Sequence, residues 1–495
     1  MPERLYVGFD LGTTAIKVGL FDGAGGTVAT ASREIRLDTP SPGFVEFDAE
    51  AYLQRAFECV REVCGSVDAD AVEAIGVSSQ AQTFVVVGEG GRPLRPAVSW
   101  LDVRAKAEAD ELSAQSVRLG FEEVDAISSA PKLLWLRRHE GECFQRVRRV
   151  LLIPDYLIYR LTGRAVSDVV FAASTGAYDR WGRRWIEPLL AACGLDVGVM
   201  PEVKFPGEPV GRLTAEAARA LGLSEDVLVA VGTNDQPAGA LGAGNVFPGC
   251  ASLALGTALA FVATSDRREG VPEGVGVMPH PASDRTGGEG ALYALLAFAK
   301  TAGIVIRWFR DNFAPGESYE DLFREVASVP IGAEGLSCLP HFSGTATPDF
   351  NPSVRGAFSG LTLAHGRAHL ARALAESLAF TVRENLELLN RAVRIGEVRA
   401  IGGGARSDVW LQMIADVTGV PVQRPQTSEA ACLGAAALGM VGAGRFTSVA
   451  QAARALYRPG RRFEPDTEVR AQYAEAFTRY RALYEALYGG KRTDA

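Results

Sequence analysis

The sequence predicts an α/β protein of two similarly built halves, and three observations carry that expectation. Near the N-terminus "RLYVGFDLGTTAIKVGLFDGAGGTVATASREI" reads as strand, Gly-Thr turn, strand, glycine-rich turn, strand. The same grammar returns in "GCASLALGTALAFVATSD", residues 249–266, with a Gly-Thr pair at 256–257. Each half also offers a corner where a strand meets glycines and then a helix: "VLVAVGTNDQPAGALGAG", residues 227–244, and "EVRAIGGGARSDVWLQMIADVTGV", residues 397–420.

Each element has its own justification. The run Val227–Val231 is β-branched and apolar, as a strand buried on both faces requires, and Gly232 breaks it where a parallel strand hands over to a helix. Asp235 then falls at the carboxyl end of a strand. Ligands of open α/β sheets bind at that edge, and helix N-termini favour anions. An Asp at a helix start is also a good N-cap, so a structural role competes with a chemical one. Asp48 is expected to cap a helix that presents Leu53, Ala56, Phe57 and Val60 on one face. Residues 370–390, "LARALAESLAFTVRENLELLN", read as a long helix. A terminal helix carries Val469, Tyr473, Phe477, Tyr480 and Tyr484 at the spacing of a packed face.

With 495 residues the chain is long enough for two large domains, and the boundary is expected near Ala243–Phe247. Hydrophobic residues at 47% and charged residues at 22% describe an ordinary globular protein, while 54 glycines predict many tight turns or close backbone approaches. The net charge of −8 argues against nucleic acid or an anionic membrane as a general partner. Seven cysteines without a CxxC pair and five histidines without zinc spacing point to a reducing cytoplasm and no structural zinc. The N-terminus enters a strand within five residues, which leaves no room for a signal peptide. Residues 236–265 carry no charge, but Pro237, Pro248 and five glycines interrupt them, so the run is expected to be buried core rather than a membrane span.

The chemistry follows from the turns. Asp10 lies on the first strand just before Gly12, Thr13 and Thr14, where a carboxylate is costly unless a cation joins it. Magnesium bridging phosphate oxygens is the natural companion, since it takes few protein carboxylates. Four glycine corners facing one another would make a cleft lined by N–H groups that can wrap a polyphosphate. Phosphoryl transfer to an alcohol needs a base beside the acceptor, and Asp235 has the chemistry for it. No GxxxxGK[ST], HRD or DFG motif is present. A rival reading takes "IGGGARSD", residues 401–408, as a dinucleotide loop with Arg424 greeting the 2′-phosphate of NADP. The two phosphate turns elsewhere in the chain are superfluous to such an enzyme. A second rival is a non-enzymatic ATP or sugar sensor on the same fold.

The residues also resemble a known family. "YVGFDLGTTAIKVGLFD", "KLLWLRRH" (132–139), "IPDYLIYRLTGRAVSD" (153–168), "GTNDQPAGALGAG", "GAFSGLTLAHGRAHLARALAES" (356–377) and "GGGARSDVWLQMIADVTGVPV" together resemble the FGGY carbohydrate kinases, most of all their xylulokinase branch. The resemblance covers nearly the whole chain. It implies two ribonuclease-H-like domains of the actin and hexokinase type flanking a nucleotide and substrate cleft. Residues 1–244 would form the sugar and phosphate side, and 245–495 the adenosine side.

By the same resemblance ATP and Mg²⁺ are the cofactors. Asp10, Gly12, Thr13, Thr14 and Lys17 would serve phosphate and metal, and Gly256 and Thr257 the second phosphate turn. Gly403, Gly404, Ala405 and Asp408 would lie on the adenosine side. Asp235 would be the catalytic base and, with Asp10, would face the metal through water. Gln80, Gln82, Trp100, Asp102, Asp235 and Gln236 would meet the substrate. A small sugar or polyol is the expected partner, nucleic acid and membrane are not, and a homodimer is allowed.

The departures gather at the substrate end. Xylulokinases usually carry GQMHG where this chain reads "AIGVSSQAQTF" (74–84), so Ala81 and Gln82 replace Met and His. Their LSGERTP is "FSGTATP" (342–348) here, and Gln236 follows the catalytic Asp where Asn is usual. D-xylulose, converted to D-xylulose 5-phosphate, is the favoured substrate. Another ketose, a glycerol- or erythritol-like polyol and a gluconate-like aldonate are the alternatives.

Overall fold

The computed structural model describes residues 4–283 and 290–489. Two compact units emerge. The first comprises residues 4–244, the short piece 281–283 and Glu429–Leu456; the second comprises Asn245–His280, 290–428 and 457–489.

In the first unit the three strands read at the N-terminus, Leu5–Leu11, Ala15–Asp22 and Thr27–Glu34, form an antiparallel meander. Val72–Ser79 then pairs parallel to Leu5–Leu11, and Leu228–Ala230 parallel to Val72–Ser79. Pro209–Arg212 closes the edge antiparallel, and the short strand Thr233–Asn234 resumes the parallel pairing beside Ser78 and Ser79. The central strands are buried on both faces, as their apolar runs require.

The second unit repeats this plan. Cys250–Leu255, Leu259–Ser265 and Tyr293–Ala299 form the antiparallel meander, with Gly276–Pro279 at its edge. Glu397–Ile401 and Val422–Pro425 add in parallel on the other side of Cys250–Leu255. Both sheets thus place the first strand of the meander at the centre, with its hairpin partners on one side and parallel strands on the other. This is the ribonuclease-H-like order expected of the family.

Helix expectations hold in detail. Asp48 caps Ala49–Cys64 by accepting from the N–H groups of Glu50 and Ala51, and Leu53, Ala56, Phe57 and Val60 are buried. The long helix is Arg367–Leu389. Tyr473, Phe477 and Tyr480 of the terminal helix Arg470–Tyr488 are buried in the second core. The uncharged run 236–265 becomes a buried helix, Asp235–Gly242, followed by two core strands. Among the described residues no helix is long and apolar enough to cross a membrane.

The compact units divide the chain differently from the expected halves: the first runs continuously to Gly244 and also takes in Glu429–Leu456, which the expectation gave to the second. The cause is close packing of small residues. A Cβ on Gly8 would lie 1.9 Å from the Cys432 carbonyl oxygen, and one on Gly76 would lie 1.7 Å from that of Ala435. The helix Ala430–Gly442 therefore rests directly on the backbone of the two central strands, which only glycine permits.

Candidate active site

The first unit brings most of the expected residues together around the Gly12-Thr13-Thr14 turn. Asp10 ends the first strand half-buried, and its carboxylate accepts from Ser78 Oγ at 3.2 Å. Burial pushes its pKa up to about 6, with Lys17 and Ser78 working against the rise and Glu429 adding to it. Lys17 is not a free phosphate ligand here, because its Nζ sits 2.8 Å from Glu429 Oε2. Thr14 is exposed, whereas the Gly12 carbonyl is held by the Tyr52 hydroxyl at 2.8 Å.

Asp235 is the first residue of its helix, but Asn234 caps it, accepting from the Gln236 N–H at 3.3 Å. The capping role that competed for Asp235 is thus already filled. Its half-buried carboxyl is pushed up to about 7, first by burial and then by the negative charge of Asp10, against hydrogen bonds from Gln236 and Asn234. A carboxylate poised near neutrality is suited to general-base work.

The residues expected to meet the substrate divide. Trp100 Nε1 donates to Thr13 Oγ1 at 2.8 Å, and Thr13 Oγ1 donates to Gln80 Oε1 at 2.9 Å. Thr83 Oγ1 donates to the same Gln80 oxygen at 3.2 Å and accepts from the Trp100 N–H. Gln80 and Trp100 therefore brace the phosphate turn, and Gln80 Nε2 is left buried without a partner. Gln82 has φ +61°. Its backbone is clamped by Ser174 Oγ, which accepts from its N–H, and by Ser129 Oγ, which donates to its carbonyl at 2.9 Å. A non-glycine residue held in the left-handed region is a feature of functional sites.

Asp102 is placed differently from the expectation. It is fully buried, accepts from the Val45 N–H at 2.6 Å, and is gripped through both oxygens by Arg104 Nε and Nη2 at 2.9 and 2.6 Å. Arg104 is itself buried, bridges to Glu46, and lies over the Phe44 ring. Asp102 is thus half of a buried ion pair, with no exposed oxygen for a sugar hydroxyl.

In the second unit the carbonyls of Gly256 and Thr257 accept from Gly303, Ala302 and Ile304 at the start of the helix Gly303–Phe313. The Thr257 side chain is exposed. The second glycine corner is a tight turn, Gly403–Arg406. A Cβ on Gly403 would meet nothing within 4 Å, whereas one on Gly404 would strike Trp410 at 2.6 Å and Leu255 at 2.9 Å. Gly404 thus serves close packing, and Gly403 borders open space. Ala405 is buried beneath the turn. Asp408 pairs with Arg424 at 2.7 Å and with Arg461. Arg424 also donates to the Ala405 and Arg406 carbonyls, which occupies the side chain the NADP reading needed. A cavity of about 420 Å³ adjoins this corner, lined by Gly402, Ala405, Arg406, Arg424, Thr427 and Arg461, among others.

Magnesium fits the first unit's donor set. Asp10 and Asp235 are hard oxygen donors whose charges repel, and the nearest cation, Lys17, is shared with Glu429. Among the described residues no cluster of three or more His, Cys, Asp or Glu side chains could hold a metal. Two carboxylates with retained water match the habit of Mg²⁺.

Several participants were not anticipated. Glu429 lies 412 residues from Lys17 in the chain and reaches it only because the helix it precedes returns to the first unit. Asp168 caps the helix Val169–Ser174 and accepts from Thr233 Oγ1 at 3.0 Å, tying that helix to the strand that leads into Asp235. Burial pushes Asp168 up to about 7. Its place in "RAVSD" was visible; its tertiary partner was not.

Two sheets of one topology, each with a glycine-threonine hairpin and a glycine corner, define a two-domain kinase of the actin and hexokinase type. Comparison with known proteins makes the class specific. The N-terminal domain of the FGGY family of carbohydrate kinases matches residues 5–242, and its C-terminal domain matches 251–443. The chain is 32% identical over 489 residues to the xylulose kinase of Escherichia coli, covering 98% of this chain and 99% of that one. It is 31% identical over 475 residues to the glycerol kinase of Citrifermentans bemidjiense, covering 93% and 94%. Among solved structures, the xylulose kinase of Rhodospirillum rubrum superposes with a TM-score of 0.85 at 29% identity, covering 98% of this chain and 99% of that one. The chain belongs to the FGGY family of carbohydrate kinases and is an ATP-using sugar kinase.

Proposed function

We propose that this enzyme transfers the γ-phosphoryl group of MgATP to a hydroxyl of D-xylulose, giving D-xylulose 5-phosphate, in the cytoplasm. The observation that carries the chemistry is the pair Asp10 and Asp235, two recessed carboxylates beside a glycine-threonine turn, with Asp235 held near neutrality. The substrate is supported by full-length similarity to xylulose kinases. The cytoplasm is supported by cysteines that are all free.

In this reading Asp235 takes the proton of the acceptor hydroxyl as that oxygen attacks the γ-phosphorus, and ADP leaves. Asp10 and Asp235 would hold Mg²⁺ through water, and the ion would supply charge neutralisation at the phosphates. The N–H groups of Gly12, Thr13 and Thr14 receive phosphate oxygens in the first unit, and the Gly256-Thr257 turn is the second unit's phosphate turn. Gly403, Gly404, Ala405 and Asp408 belong to the adenosine side, with Gly403 the open approach. Gln82 and Gln236 offer amides to sugar hydroxyls, each able to donate and accept at once. Trp100 and Gln80 act by holding the turn, and Asp102 by anchoring its loop through Arg104.

An acceptor panel tests the substrate. ADP release should be fastest, as kcat/KM, with D-xylulose, and slower with other ketoses, glycerol, erythritol and gluconate. A polyol or aldonate at the head of that ranking transfers the assignment to that alternative, and no acceptor-dependent release overturns it.

A further inference from the structure

The motif "KLLWLRRH" has so far served only as a mark of resemblance, yet its first residue is the most unusual charge in the first unit. Lys132 is completely buried, in the first turn of the helix Ser129–His139. A buried ammonium is expensive unless its donors are satisfied. Lys132 Nζ donates to the Ser99 carbonyl at 3.0 Å and to the Ile127 carbonyl at 2.8 Å. Burial pushes its pKa down to about 7; Asp102 and Asp125 oppose that fall, and Arg104 adds to it.

Ser99 is joined through its carbonyl to Trp100, whose indole holds Thr13 and whose N–H holds Thr83. Three residues before Lys132, on the same helical face, Ser129 Oγ holds the Gln82 carbonyl. One helical turn therefore grips both segments that the sequence assigns to the substrate, through the carbonyls of Gln82 and Ser99. A salt bridge would stabilise the core without reaching these carbonyls, so the geometry assigns the cation a target rather than a partner.

We infer that Lys132 is a positioning residue for the sugar side of the site, acting through the Ser99 carbonyl on Trp100, with Ser129 fixing Gln82 from the same turn. The inference rests on the sugar-kinase reading and adds to it a residue that touches neither substrate nor nucleotide.

A double-mutant cycle tests it. Lys132→Met keeps most of the unbranched side chain and removes both bonds. It should raise the KM for the best acceptor by about fivefold, while the KM for MgATP stays within about twofold. In a Trp100→Phe background the same substitution should change the acceptor KM by less than about twofold, because the route through Trp100 is already cut. Ser129→Ala, a mild change at the helix start, should raise the acceptor KM with the melting temperature nearly unchanged, and it decides the matter if Lys132→Met fails to fold. An unchanged acceptor KM in the folded variants, or a full effect of Lys132→Met without Trp100, overturns the inference. If the wild type phosphorylates no sugar, the sugar-kinase reading falls instead, and that result is read before any variant.

Discussion

Trp100 Nε1 donates to Thr13 Oγ1 across 2.8 Å, joining the loop after Ala97–Val98 to the Gly12-Thr13-Thr14 turn. Thr13 passes the bond on to Gln80. The loop carrying Trp100, the Gly12-Thr13-Thr14 turn and Gln80 are therefore one hydrogen-bonded assembly.

Removing that bond should be measurable. Trp100→Phe keeps an aromatic ring and removes the indole N–H; the lost hydrogen bond is worth about 0.5–1.5 kcal/mol net, or roughly 2–12-fold in kcat/KM for the sugar. Steady-state kinetics at saturating MgATP checks this. No change would mean that the Trp100–Thr13 bond does not set the turn.

Asp102→Asn separates structure from recognition. The substitution removes one of the two carboxylates that hold the buried Arg104, leaving Glu46 as its charge partner, and weakening such a buried pair destabilises by up to about 3–5 kcal/mol. Calorimetry should show a clear fall in melting temperature, while the acceptor KM of the folded protein rises less than about threefold. A large rise in KM at unchanged melting temperature would return Asp102 to direct contact with the sugar.

Neighbouring glycines should part company. Gly403→Val places its side chain in open space and should weaken MgATP, read as a higher Kd by calorimetric titration, with little loss of stability. Gly404→Val strikes Trp410 and Leu255 and should lower the melting temperature whatever its effect on nucleotide. Unaltered MgATP affinity in Gly403→Val would remove this corner from the nucleotide site.

These outcomes also mark what can be read from sequence. Asp10, Asp235 and the Gly-Thr turns were legible because strand, glycine and acid follow one another locally. The two meanders were legible for the same reason. The buried pair of Asp102 was not legible because Arg104, two residues on, could equally have faced solvent; only the burial of both makes the pair. The return of Glu429–Leu456 to the first unit escaped because it depends on Gly8 and Gly76 meeting a helix more than 350 residues away. Asn234 and Asp235 are both good caps, and local pattern does not choose between adjacent ones.

The pH dependence follows from the raised carboxyls. Asp235, at about 7, is protonated below that pH and cannot accept the acceptor proton, so kcat/KM should fall as pH drops through about 7. Asp10, at about 6, titrates beside it, and the limb belongs to the pair. Stability runs the other way. A carboxyl whose folded pKa lies above its unfolded value favours the fold when protonated, so ionisation at pH 8 is destabilising. Asp235→Asn should therefore melt higher than wild type at pH 8, by at least ~2 °C, with the gain shrinking toward pH 4. Equal melting temperatures at pH 8 would show that Asp235 is not held in a strained charge state.

The most direct test is the turnover of Asp235→Asn with the best acceptor. Asn keeps the size of the side chain and cannot accept a proton, so kcat should fall by roughly 10²–10⁴, about 3–5 kcal/mol of barrier, with MgATP affinity nearly unchanged. Acceptor-dependent ADP release within a few-fold of wild type would contradict the assignment of Asp235 as the base.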